Sequence, residues 1–220
     1  MVILKENKGK TFEKRNDLIN AALLEFGEKG YENASLNNIL KEAGISKGTF
    51  YYHYENKEDL YMYLMDILVE EKFKFLSRRM DSIDVNEDIF TKLKLTIKLG
   101  MEFASKNPQI NKFSQSFIKE FGTESQNQIM EKYFIDRSGY LDGLTKKYDF
   151  ESIDYVGELI EEGYARGEIR EDLPKKFVKQ IVNYLFYNLQ RIVNTDNLDE
   201  YGAAANNLVD FIKGGLKNNN

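Results

Sequence analysis

Cysteine is absent from the 220 residues, which excludes disulfides, thiolate metal sites and a cysteine nucleophile. Histidine occurs once, at His53, so histidine-rich metal centres and serine–histidine catalysis are excluded too. Carboxylate or lysine chemistry is not. Proline is nearly missing, with Pro108 and Pro174 alone, and alternating β-branched stretches are scarce. Leu, Lys, Glu, Ala and Met dominate almost every segment, so an all-α chain is expected. No run approaches the roughly 20 apolar residues of a membrane helix, and Met1–Leu4 passes at once into Lys5, Glu6, Asn7 and Lys8, unlike a signal peptide. A cytoplasmic protein holding no metal or cofactor is the expectation.

With 42% hydrophobic and 30% charged residues, the composition is that of an ordinary globular protein. The net charge of −5 is unevenly spread. Residues 1–54 hold 8 Lys and Arg against 7 Asp and Glu, whereas 55–220 hold 23 against 29. A nearly neutral head thus precedes an acidic body. Such a balance opposes indiscriminate coating of nucleic acid, but a locally basic face can still dock on it.

The first helix is expected from about Phe12 to Lys29, with Leu18, Ile19, Ala22, Leu23 and Phe26 on one apolar face. Gly30 ends it, and Tyr31 can fold back over that face. Ser35 caps a second helix whose Leu36, Ile39, Leu40 and Ala43 point inward. Gly44 breaks the chain, Ile45 plugs the turn, and Ser46 caps a third helix to about Tyr54. Asn56 caps a fourth. Two helices joined by a tight glycine turn, with an apolar residue pinning it, follow helix-turn-helix grammar. The third helix is too short to be stable alone, and Phe50 and Tyr54 anchor it. At 100° per residue Gly48 and Tyr52 fall on the opposite side, with Thr49 and Tyr51 on the flanks and Lys47 at the exposed N-terminal end. That face carries no carboxylate, and Gly48 would let the backbone come close to a duplex.

These residues carry a family resemblance. Ala22-Leu23-Leu24-Glu25-Phe26, then Gly30-Tyr31, then the run A-S-L-N-N-I-L-K-E-A-G-I-S-K-G-T-F-Y-Y-H-Y-E-N-K-E-D-L over residues 34–60 resemble the DNA-binding head of the TetR family. The match spans about fifty residues without a gap; Ser35 stands where threonine is commoner and Tyr54 where phenylalanine is usual. The resemblance implies phosphate contacts from Ser35, Ser46, Tyr51, His53 and Lys57, with Lys47, Thr49 and Tyr52 against base edges and Gly48 between them. Ser46 and Asn56 could equally be plain helix caps, Tyr51 could pack within the head, and Ser35 is the weakest assignment. The implied organisation is a head over residues 1–57, starting near residue 11, and a helical ligand-binding and dimerisation body over 58–220.

In the body, helices are expected over Lys57–Met80, Glu87–Ser105, Gln109–Phe121, Ser125–Tyr148, Ile153–Arg166, Pro174–Val193 and Leu198–Leu216. The stretch G-Y-A-R-G-E-I-R-E-D-L at 163–173 also resembles the family's linker before its last two helices. The helix after Pro174 is apolar nearly all round, so one side can face its own core and the other a partner. With the last helix it would form a four-helix bundle across a homodimer, through Val178, Ile181, Val182, Leu185, Leu189, Tyr201, Ala205, Leu208 and Ile212. An internal hairpin is the alternative. The middle helices carry Phe103, Phe113, Phe117, Phe121, Tyr133, Phe134 and Tyr140, which are ordinary core or, as in related proteins, walls of a small-molecule cavity for a hydrophobic or aromatic effector. The expected function is a dimeric, ligand-responsive repressor on a palindromic double-stranded DNA operator. An activator, a regulator without a small effector, or a helical carrier keeping the head as a relic are the alternatives. Paired acids such as Glu161-Glu162 lack a histidine, cysteine or glycine-loop partner and read as solvated surface, not as an enzyme site.

Overall fold

The computed structural model describes residues 12–80, 84, 86–120, 124–150 and 154–218. Among the described residues the elements are α1 Arg15–Asn33, α2 Leu36–Ala43, α3 Lys47–His53, α4 Lys57–Met80, α5 Ile89–Lys106, α6 Pro108–Glu120, α7 Glu124–Tyr148, α8 Tyr155–Ala165, α9 Lys175–Val193 and α10 Leu198–Leu216. The fold is all-α. Its extended pairing, among the described residues, is an isolated bridge between Ile169 and Lys217. None of the described helices is long and apolar enough to cross a membrane.

The chain divides into two compact units, residues 1–72 with 107–140, and residues 73–106 with 141–220. In the first unit, Leu18, Ile19, Ala22, Leu23 and Phe26 of α1 are buried with Ile39 and Leu40 of α2, Phe50 of α3 and Leu60 of α4. Each fully buried side chain of this size is worth about 1.5–3 kcal/mol of transfer free energy. Helix α6 belongs to this unit and lies closely along α1. A methyl group built on Gly27 would meet the backbone nitrogen of Phe113 at 3.2 Å. Lys112 pairs with Glu28 at 2.9 Å, and the Glu120 carboxylate accepts a 3.0 Å hydrogen bond from the Tyr31 N–H.

The second unit is built on Ile89, Phe90 and Leu93 of α5, Leu159 and Ile160 of α8, Val178 and Val182 of α9, and Val209 and Ile212 of α10. Lys92 reaches Glu162 at 2.5 Å, and Glu168 accepts from the Ile89 N–H at 2.8 Å, closing the N-terminal end of α5. The chain end is zipped to the α8–α9 connection: Arg170 N–H donates to Leu216 O and Asn218 N–H to Glu168 O, both at 2.9 Å.

Most of the residues expected to face a partner lie in or against this core. Val178, Val182, Leu189, Ala205 and Ile212 are buried inside the chain's own unit, and Leu185 and Leu208 pack half-buried against the same cluster. Tyr201 is half-buried, and Ile181 alone of that set is exposed. The outward side of α9 is a different stripe, Phe177, Ile181, Tyr184 and Ile192, with Tyr187 beside it and Phe211 on α10. The reason is geometric. On a helix apolar nearly all round, hydrophobic periodicity does not say which side turns inward.

Candidate nucleic-acid interface

Three capped turns place α3. Ser35 Oγ accepts from the Asn38 N–H at 3.4 Å and starts α2, which ends at Gly44 in the left-handed region, φ 63°. The Gly44 carbonyl accepts from Lys14 Nζ at 2.9 Å, and the Ile45 N–H returns to Leu40 O. Ser46 Oγ then accepts from the Thr49 N–H at 3.0 Å and lies 2.9 Å from Thr49 Oγ1. Glu25 ties α1 to this corner, accepting from the Ser35 N–H at 2.9 Å and from Lys29. Desolvation works against its charge, but hydrogen bonds from Lys29, Ser35 and Asn38 outweigh it and hold the carboxyl below its ordinary range.

Phe50 and Tyr54 are buried, stacked 5.5 Å apart, and fix the inner side of α3. Burial pushes the Tyr54 phenol well above its ordinary range. On the outer side Ser46, Lys47, Gly48 and Thr49 are exposed, Tyr51 is 56% exposed and Tyr52 85%. His53 is half-buried between rings, stacked on Phe12 at 4.4 Å and edge-on to Tyr52 at 4.9 Å. From Ser46 to Tyr54 no carboxylate interrupts this surface; Glu42 and Glu55 lie outside it.

Besides Ser46, the cap of α3, two more of the expected residues do local work. Ser35 is the α2 cap and only half-exposed. Lys57 sends its ammonium to the carbonyl oxygens of Tyr31 at 2.7 Å, Ala34 at 3.2 Å and Glu32 at 3.4 Å, and lies over the Tyr31 ring at 4.5 Å. It thereby holds the α1–α2 junction, a role the sequence does not announce because those carbonyls come from 23 to 26 residues away. Lys57→Ala is expected to destabilise the head by about 1–2 kcal/mol, from charged hydrogen bonds lost, in urea melts followed by circular dichroism. A fall of about 1 in the salt slope of duplex binding would show that Lys57 also neutralises a phosphate.

The aromatic residues of the middle helices are divided between the two units. Phe113 is fully buried in the first unit, edge-on to Tyr61 at 5.1 Å, with Phe117 half-buried one turn on. Tyr133 is buried there too, and burial first, then the nearby Asp66, pushes its phenol up. Arg137 Nε donates to Asp66 at 3.1 Å, and the Tyr140 hydroxyl donates to Asp66 O at 3.3 Å. Phe134 is 49% exposed. Phe103 belongs to the second unit, packed on Phe75 at 5.4 Å. Phe121 lies outside the described residues. An open groove of about 490 Å³ in the second unit is lined by α5 and α10 residues including Leu95, Lys98, Met101 and Asn206.

Residues 18–64 match the family model described as bacterial regulatory proteins, tetR family. Along most of its length the chain is similar to the Fatty acid metabolism regulator protein of Bacillus subtilis (strain 168), with 24% identity over 205 residues, 91% of this chain and 94% of that one. It is 29% identical over 185 residues, 78% of this chain and 96% of the relative, to the Biofilm operon icaADBC HTH-type negative transcriptional regulator IcaR of Staphylococcus epidermidis. The solved structure of the transcriptional regulator FadR from Bacillus subtilis in complex with stearoyl-CoA has the same fold, with a TM-score of 0.61 at 20% identity over 91% of this chain and 98% of that one. The relatives are named as regulators and not as enzymes. A matched head, an all-α architecture and relatives that span most of its length place the chain in the TetR family of DNA-binding helix-turn-helix transcription regulators.

Proposed function

We propose that the protein is a dimeric transcriptional repressor that leaves a palindromic operator when a small hydrophobic molecule binds its body. The observation that carries the reading is the α3 surface, where Lys47, Thr49, Tyr51 and Tyr52 stand exposed on a helix pinned by Phe50. Cation, hydroxyl and aromatic groups with no competing carboxylate suit contact with phosphates and base edges. Ser46, Tyr51 and His53 serve the backbone in this reading, and Lys47, Thr49 and Tyr52 the bases.

One α3 reads one half-site, so two copies are needed for a palindrome, with recognition helices about 34 Å apart or a multiple of it. The exposed stripe of α9 supplies a face for the second copy, since contiguous apolar side chains of this size on a surface mark an interaction site. The effector is read by analogy with the relative solved with stearoyl-CoA. Its action would be a population shift, favouring a conformation in which the two heads no longer match the operator.

Selection of duplexes from a randomised pool at stated salt tests the first part. A two-fold symmetric site is expected; an asymmetric half-site bound at full affinity by a monomer would overturn it. Tyr52→Ala and Thr49→Ala should relax preference at particular base pairs by about 1–3 kcal/mol in competition binding. A uniform loss on all duplexes would remove their base-reading role.

A further inference from the structure

His53 is the single histidine of the chain and cysteine is absent, so one side chain alone is of a type that changes charge between about pH 5 and 8. That side chain closes α3, one residue after Tyr52, the most exposed ring of the helix. Its imidazole is held between two rings of the first unit. Phe12, from the segment ahead of α1, lies face to face with it at 4.4 Å and 16°. The Tyr52 ring stands across it at 4.9 Å and 87°. The clamp fixes the imidazole in place but covers only part of it, since His53 is half-buried.

Neither ring carries a charge near neutral pH, and the ionisable groups on the same elements are turned elsewhere. Beside Phe12, Lys14 donates to Gly44 O and Arg15 to the Tyr63 hydroxyl. After α3, Lys57 holds the α1–α2 junction and Asp59 accepts from the Glu55 N–H at 3.1 Å. Lys47 sits at the opposite end of α3, and the Glu13 and Glu55 side chains are exposed. Among the described residues no carboxylate pairs with the imidazole. An anion beside it has to come from outside the chain, and a duplex docked on α3 brings one in its phosphates. An opposite charge within about 4–6 Å moves a titrating group by about 1–3 pH units toward its charged form. Partial burial works against the charge, but the Phe12 face receives a cation favourably, so the phosphate decides the direction.

We propose that His53 makes DNA binding proton-linked: each head takes a proton from solvent onto this imidazole as α3 docks, so the protein holds its operator more tightly on the acid side of neutrality. The inference rests on the reading of α3 as the helix that meets DNA, and adds a regulation of that same surface. The sign follows from mass action. The complex binds protons that its separated parts release, so affinity is highest at low pH and is lost as pH rises through the range where the imidazole in the complex titrates. Two heads on one operator double the effect.

The test titrates the full-length protein into a labelled symmetric duplex, taken from the selection above, at pH 6, 7 and 8 and fixed ionic strength. Affinity should fall by about 10- to 50-fold from pH 6 to pH 8, the size expected when each of two imidazoles rises by about one pH unit on docking. The salt slope of the parent chain, which needs no variant, should be steeper at pH 6 than at pH 8 by up to about 2, one counter-ion for each protonated imidazole. His53→Gln keeps an N–H for the phosphate but cannot take up a proton, so its pH profile should be flat and its salt slope the same at both pH values. Circular dichroism at pH 6 and 8 checks that the heads stay folded. A flat profile in the parent chain, with the duplex bound, would remove the proton linkage and leave the DNA-binding reading standing. A profile that survives in His53→Gln would place the proton elsewhere, and affinity that rises with pH would reverse the sign; either overturns the proposal. No duplex held at any pH would defeat the reading of α3 itself, and the linkage with it.

Discussion

Tyr184→Asp is expected to convert the protein into a folded monomer whose affinity for a two-half-site operator falls by about two to four orders of magnitude. Tyr184 is 62% exposed on the α9 stripe it shares with Phe177, Ile181 and Ile192. A carboxylate there costs nothing in the isolated chain, because the position faces water. In a dimer through this face it would be desolvated without a partner, at several kcal/mol, which is enough to separate the copies. Operator affinity then drops because the second head no longer binds as an intramolecular event. Sedimentation and circular dichroism, measured with DNA binding, read the three consequences. Val182→Asp is the contrasting variant: Val182 is 1% exposed within the α5–α8–α9–α10 core, so the charge should unfold that unit rather than split a dimer. A helical Tyr184→Asp dimer with unchanged operator affinity would exclude this face as the interface.

Gly30→Ala should lower the stability of the head by about 2–5 kcal/mol, without touching any surface offered to DNA. Gly30 sits at φ 74°, ψ 177°, in the region that essentially only glycine occupies, and a side chain there costs about 1–3 kcal/mol of backbone strain. A Cβ would also stand 1.9 Å from Glu120 Oε1. The carboxylate is the end of a flexible side chain and can move away, but it would surrender the hydrogen bond from the Tyr31 N–H, worth about 1–3 kcal/mol when the donor is left buried. Glu120→Ala measures that second share alone. If Gly30→Ala and Glu120→Ala cost the same in urea titrations, the strain at residue 30 is negligible and the hydrogen bond carries the effect.

Helix placement, the α2–α3 turn and the inner side of α3 are legible from local order. Gly44, the Ser35 and Ser46 caps and the spacing of Phe50 and Tyr54 act within a few residues of one another. That is the range over which periodicity and capping speak. The α3 surface was legible for the same reason, since a short helix buried on one side must expose the other. Lys57 was not, because its acceptors lie across the junction of α1 and α2. The partition into units is equally non-local: α6 lies along α1 through Gly27 and Glu120, a pairing between residues some eighty to ninety positions apart.

What the sequence determined by itself is therefore the all-α class, the helix-turn-helix and the family, each written in short-range pattern and in a contiguous motif. The rotational setting of α9 was decided only by tertiary structure. Its residues are apolar on nearly every side, and which ones turn inward depends on the volume left by α8 and α10, where Val178 and Val182 fit and Phe177 and Tyr184 remain outside.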